Sequence, residues 1–313
     1  MNIENAQKYY DELIECDENH IDKAMMLFEK MEVIYRTNPS EELAELMAES
    51  LFNLAYYTSY VGDDKKAFFF LDALDGVGKE YPANQTIVWN LVHCYSNLIN
   101  SISEDDILKA FSLFELLKGW YIEYPKNEDI VDRLGDACYN LMIELSDTNR
   151  VKTHALLSLL KELQSLEMKN DKMCTNFMYA SYNYVCFFGT DMTTDALEVF
   201  YNMKDISDKS IDDIGLVYES VKAASFLIEQ LIPNDIQLAL ELFEMIHMYA
   251  NKHKDDEDIA YYTILNAYNL IVKLKETDIN KCRELYAVML KFEEVCDDEV
   301  ESMLDVVSLV LNK

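Results

Sequence analysis

Apolar positions along the chain fall into short blocks that repeat. DKAMMLF, KKAFFFL, LKAFSLF, THALLSL, TDALEVF, QLALELF and NKCRELY each set one small residue among larger apolar ones. These are Ala24, Ala67, Ala110, Ala155, Ala196, Ala239 and Cys282, in steps of 43, 43, 45, 41, 43 and 43 residues. Self-similarity at such a period marks stacked supersecondary units, each unable to bury its apolar face alone. Pro39, Pro82 and Pro125 share the period and lie 15 residues beyond the marker alanines. Proline lacks an N–H and disfavours helix at the preceding residue, so each should close one helix and stand near the start of the next. At the other turn, Asp63, Asp106, Asp235 and Asp278 recur at whole multiples of 43 and read as N-caps, contributing roughly 0.5–2 kcal/mol each.

Each period therefore holds two helices. Helix A runs from the proline turn to the aspartate turn, and helix B carries the marker. The pattern predicts A over about 40–60 and B over about 63–80, repeated onward, with a first A helix over about 3–17 and an unpaired final A helix over about 297–312. The expected fold is all-α: a right-handed α-solenoid of about seven antiparallel hairpins plus a C-terminal capping helix, as one domain, 1–313. Gly76 and Gly119 share a repeat position, which favours close helix packing there.

Within the A helices, Leu91, Leu134 and Phe177 form one apolar register, and Leu98, Leu141, Tyr184, Leu227 and Leu270 another; both should face the core. Cys138, Ser181, Ala224 and Ala267 lie between them, where helices could approach closely. Asn97, Asn140, Asn183, Asn269 and Asn312 share a register interrupted by Phe226, and Asn90, Arg133 and Asn176 lie seven residues before Asn97, Asn140 and Asn183. At about 100° per residue, this second set lies on the same flank, roughly 120° from the core line. Tyr139, Tyr182 and Tyr268 each precede a column asparagine and are further candidates to line the surface, with aromatic packing between repeats the favoured alternative. An asparagine amide offers a donor and an acceptor, which suits it to the backbone of an extended peptide. It is equally able to satisfy backbone and turn carbonyls inside the stack.

Ala24 with Phe28, Ala110 with Phe114, Ala196 with Phe200 and Ala239 with Phe243, together with Tyr81-Pro82 and Tyr124-Pro125, resemble the second helix and closing turn of tetratricopeptide repeats. The period departs from that family's 34 residues. An early Trp is lacking, and the helix-A Leu-Gly stands only at Leu134-Gly135. The resemblance implies a superhelix whose concave groove is lined by A helices and holds a peptide or protein segment, in some related solenoids through asparagine ladders.

Composition agrees with helices and narrows the partners. Half of the residues are hydrophobic, enough for a continuous core, while only seven Gly and four Pro supply turns. With 27 Lys plus Arg against 58 Asp plus Glu, the formal charge of −31 opposes direct binding to nucleic acid or anionic membranes and favours a basic protein. No leader-like or membrane-spanning run is evident, so a cytoplasmic location is expected. Seven scattered cysteines lack CxxC spacing and read as reduced core residues. Glu244 and His247 match half of a di-iron helix motif, but no second ExxH exists. Gly76-Val77-Gly78-Lys79 lies inside a predicted helix without the spacing of a phosphate loop. Neither a catalytic constellation nor a cofactor or metal site is expected. The chain reads as a non-enzymatic adaptor, scaffold or regulator binding a peptide or protein on the A helices. The alternative is an acidic inhibitor that mimics nucleic acid and blocks a basic cleft on a DNA- or RNA-handling protein.

Overall fold

The computed structural model describes residues 3–145, 148–166, 171–191, 194–296 and 299–311. These residues gather into two compact units, 1–144 and 145–313. The first holds α1 (Ile3–Ile14), α2 (Ile21–Thr37), α3 (Glu41–Tyr60), α4 (Asp64–Glu80), α5 (Gln85–Ile102), α6 (Ile107–Glu123) and α7 (Glu128–Leu145). In the second are α8 (Arg150–Leu166), α9 (Asp171–Phe188), α10 (Thr194–Lys209), α11 (Ile214–Leu231), α12 (Ile236–Lys252), α13 (Glu257–Leu274), α14 (Ile279–Phe292) and α15 (Glu299–Leu311). Odd-numbered helices are the A helices and even-numbered ones the B helices. Each unit is an all-α stack in which neighbours in sequence pack together, from α1 to α6 in the first and from α8 to α15 in the second.

Turn chemistry sets the helix ends. The Asp63, Asp106, Asp235 and Asp278 carboxylates accept from the backbone N–H three residues on, at 3.0–3.3 Å. Asn149, one period after Asp106, does the same for Lys152 at 3.1 Å. A second capping register opens the A helices: Asn84, Asn127, Asp213 and Asp256 accept from Ile87, Ile130, Leu216 and Ile259 at 2.9–3.3 Å. The first A helix stops at Ile14, short of the expected 17, because Asp17 turns the chain. Its carboxylate accepts from the Asn19 N–H at 2.9 Å and meets His20 Nδ1 at 2.6 Å.

Burial corrects the marker in the fourth repeat. Ala155 is exposed, whereas Thr153 is 1% exposed and its hydroxyl donates to the Asn149 carbonyl at 2.9 Å. With Thr153 in place, the small buried position recurs at 24, 67, 110, 153, 196, 239 and 282, and the apparent 45 and 41 steps vanish. Ala155 misleads because it is the nearest alanine to a site that needs only a small side chain.

Both expected apolar registers of the A helices are buried, as are Cys138, Ser181, Ala224 and Ala267 between them. Successive A helices pack directly: α1 on α3 and α3 on α5 in the first unit, and α9 on α11, α11 on α13 and α13 on α15 in the second. Successive B helices are tied through long side chains. Examples are Tyr35 to Glu80 at 3.1 Å in the first unit and Tyr249 to Asp208 at 2.7 Å in the second. The glycine expectation is overturned. A Cβ on Gly76 or Gly119 would meet nothing within 4 Å, so neither position is a close approach. Gly78 is the packed one, where a Cβ would lie 2.7 Å from Leu91 Cδ2 and 3.4 Å from the Trp120 ring.

Candidate binding site on the A-helix face

In the first unit, the open flank of α1, α3 and α5 carries two clefts. Tyr10, Glu49, Phe52, Asn53, Thr86, Trp89 and Asn90 line one of about 370 Å³. A second, of about 230 Å³, has Phe52, Tyr56, Tyr60, Cys94, Asn97 and Leu98 around it, with Ser59, Asn100 and Ser101 at its edge. Phe52 is common to both. Helical spacing explains the alignment, since Glu49, Phe52, Asn53, Tyr56 and Tyr60 recur at three and four residues along one flank of α3.

The rings around these clefts are unusually open: Tyr56 is 51%, Tyr60 68% and Trp89 41% exposed. Trp89 stacks on His93 with centroids 3.9 Å apart and leans toward Phe52 at 6.0 Å. Burial first, then the neighbouring Glu49 carboxylate, holds the Tyr10 hydroxyl well above the usual tyrosine range. Ser59 and Ser101 share a 2.9 Å hydrogen bond across the edge of the smaller cleft. In a chain where 27% of residues are charged, the run LFNLAYYTSY at the end of α3 and the whole of α5 contain no Asp, Glu, Lys or Arg. Glu49 is the sole formal charge among the residues that line the two clefts.

The second unit presents a different arrangement on α9, α11 and α13. Lys222 Nζ sits 4.3 Å from the Tyr182 ring centroid and 4.9 Å from that of Tyr218, and it pairs with Glu219 Oε1 at 2.7 Å. Tyr218 and Tyr262 lie 6.1 Å apart. Burial, with the neighbouring Tyr262, pushes the Tyr218 hydroxyl up to about 12. Glu219 is only 4% exposed and its Oε2 has no hydrogen-bond partner, so burial raises its carboxyl above the usual range despite Lys222.

The sequence-predicted residues divide between exposed, half-buried and buried positions. Asn97 is exposed in the wall of the smaller cleft. Asn90 lines the larger cleft but is buried, and its amide donates to the Thr86 carbonyl of its own helix at 2.9 Å. Arg133 is half-buried, pairs with Asp136 at 2.8 Å, and leaves its Nε without a hydrogen-bond partner. Tyr139 and Asn140 on α7, Asn176, Tyr182 and Asn183 on α9, and Tyr268 and Asn269 on α13 are all half-buried. Asn312 lies outside the described residues.

Glu219 and Tyr262 continue the 90–133–176 register by further steps of 43, so the period itself could have found them. Tyr10, Glu49, Phe52 and Trp89 share no register. Their one signal in the sequence was the uncharged stretch on which Phe52 and Trp89 stand.

Other candidate chemistry dissolves into packing. Lys281 Nζ approaches Glu244 at 3.2 Å, and His247 stacks on Phe243 and meets Phe292 edge-on. Among the described residues, no group of three His, Cys, Asp or Glu side chains is placed to hold a metal ion. Among the described residues no disulfide links the cysteines, and burial pushes the Cys94 thiol up to about 12. No described helix is long and apolar enough to cross a membrane. No protein-family model matches the sequence, and no curated protein is detectably similar to it.

Proposed function

We propose that this chain is a non-enzymatic binding protein of tetratricopeptide-like design with lengthened helices, holding a peptide or protein segment along its A-helix face. The observation that carries this reading is the pair of clefts on α1, α3 and α5 that share Phe52, with Tyr56, Tyr60 and Trp89 exposed around them. Exposed apolar patches with a polar rim are characteristic of docking surfaces, and Tyr and Trp dominate the energetics of such surfaces. Asn97 at the smaller cleft supplies the donor and acceptor an extended backbone needs.

The charge of −31 favours a second reading, an acidic mimic of nucleic acid. Capture of partners from the native cell by the full chain separates the two. A groove partner is lost when Tyr56→Ala and Trp89→Ala are introduced and depends only modestly on salt. A partner of a charge mimic survives those changes and dissociates steeply as salt rises from about 0.1 to about 0.5 M, where screening shortens to a few ångströms. Circular dichroism of the variants checks that the helices remain.

A further inference from the structure

The two clefts in the first unit differ in chemistry, and the difference specifies a ligand. In the larger, the Glu49 carboxylate stands among the rings of Tyr10, Phe52 and Trp89. A carboxylate framed by aromatic faces attracts a cation through both charge and ring quadrupoles. Among the described residues, no Lys or Arg side chain lines this cleft. Asn90 is committed to its own helix through Thr86, whereas the Glu49 carboxylate, beside Tyr10 in the cleft, offers acceptor oxygens to a ligand.

The smaller cleft is apolar. Cys94 and Leu98 form a buried floor, and Phe52, Tyr56 and Tyr60 form its walls. Asn97 and Asn100 stand at the edge, able to meet a backbone while a side chain enters.

Both clefts follow one direction along two A helices. The cation end uses Glu49 of α3 with Thr86 and Trp89 of α5, and the apolar end uses Tyr56 and Tyr60 with Asn97 and Leu98. From Glu49 to Tyr56 is about 10 Å along a helix axis at 1.5 Å per residue. A polyproline-II chain covers that in about three residues, at about 3.1 Å each, and with three residues per turn it returns side chains at that spacing to one face.

We infer that this site takes a peptide segment of a partner protein in which a lysine or arginine lies about three residues from a leucine, isoleucine, methionine or phenylalanine. The base seats on Glu49 beside the Phe52–Trp89 pair, whose centroids are 6.0 Å apart, and the apolar side chain enters alongside Tyr56 and Tyr60. Charge complementarity argues for this occupant, since a chain of net charge −31 repels acidic segments and draws basic ones. This inference rests on the reading of the A-helix face as a peptide groove and adds the chemistry of what fills it.

Selection of phage-displayed random dodecapeptides on the immobilised full chain tests it. Enriched sequences should share the base and the apolar residue at that spacing. A synthetic peptide of the consensus should change the fluorescence of exposed Trp89, the other tryptophan, Trp120, being buried. Glu49→Gln should weaken that peptide at least tenfold yet leave unchanged a version with norleucine in place of the base. Tyr56→Ala should weaken both. Enriched peptides without a basic residue, or basic ones that Glu49→Gln binds as well as the parent, overturn this inference. In that case the groove reading stands if Tyr56→Ala still abolishes binding. Peptides indifferent to both substitutions, or no enrichment at all, overturn the two together.

Discussion

Trp120 Nε1 donates to Asp75 Oδ1 at 3.1 Å, tying α6 to α4 across one full repeat of the first unit. The same oxygen accepts from the Tyr95 hydroxyl of α5 at 3.0 Å, and Lys79 pairs with the other. Trp120 and Tyr95 are buried, so removing the acceptor strands two donors. Each stranded donor costs about 1–3 kcal/mol. Asp75→Ala should therefore lower the urea midpoint of the first unit more than Tyr95→Phe, which removes a single bond. Equal losses in the two variants, read by tryptophan fluorescence, would show that Asp75 is not the shared acceptor.

The small buried position at Thr153 makes a sharper test of the repeat. Introducing leucine there overfills a site where every other repeat has Ala or Cys, at a cost of about 1–3 kcal/mol. Leucine at exposed Ala155, two residues away, should change stability by no more than about 0.5 kcal/mol. Thermal melts of Thr153→Leu and Ala155→Leu compare them directly, and the reverse ranking would restore the uneven steps of 45 and 41.

The glycines separate in the same manner. Gly76 and Gly119 lie inside helices with open space beside them, so Gly76→Ala and Gly119→Ala should each stabilise by about 0.5–1 kcal/mol through lost unfolded-state freedom. Gly78→Ala should forfeit that gain, because its methyl meets buried Leu91 and the Trp120 ring. Denaturation midpoints of the three variants rank them, and a stabilised Gly78→Ala would mean that the α4–α5–α6 contact is looser than these distances imply.

Such contrasts show which physics a single chain displays openly. The bounds of α3 and α4 were legible to within a residue because caps and proline turns are local: Asp63, Pro82 and Asp106 act on backbone groups a few positions away. The A-helix caps at Asn84, Asn127, Asp213 and Asp256 are equally local but less visible in the sequence, since the register changes from Asn to Asp along the chain. Side-chain direction was harder. Asn90 and Asn97 share a helix flank, yet the Thr86 carbonyl one turn back captures the first amide while the second reaches solvent. The clefts were least legible, because Tyr10, Phe52 and Trp89 come from three helices at unrelated repeat positions and meet only once α1, α3 and α5 have packed.

In the second unit, Glu219 holds a buried carboxylate whose Oε2 has no hydrogen-bond partner, and burial raises its pKa even though Lys222 lies 2.7 Å from Oε1. A carboxyl whose folded pKa exceeds its unfolded value binds more protons when folded. It contributes no penalty below the unfolded pKa of about 4.3 and lowers stability progressively as pH rises through the folded pKa. Glu219→Gln removes the charge while keeping the shape, so it should raise the melting temperature at pH 7, with the advantage shrinking toward zero near pH 4. Lys222 tolerates the loss because the Tyr182 and Tyr218 rings still face its ammonium. The converse change is not tolerated: Lys222→Met leaves Glu219 charged, buried and unpaired, a situation that costs about 3–5 kcal/mol. Melting curves of the parent and both variants from about pH 4 to about pH 8 carry the test. If Glu219→Gln is the less stable protein at pH 7, the ion pair outweighs the desolvation of its acid, and Glu219 is a structural anchor of α11 and not a strained group on the A-helix face.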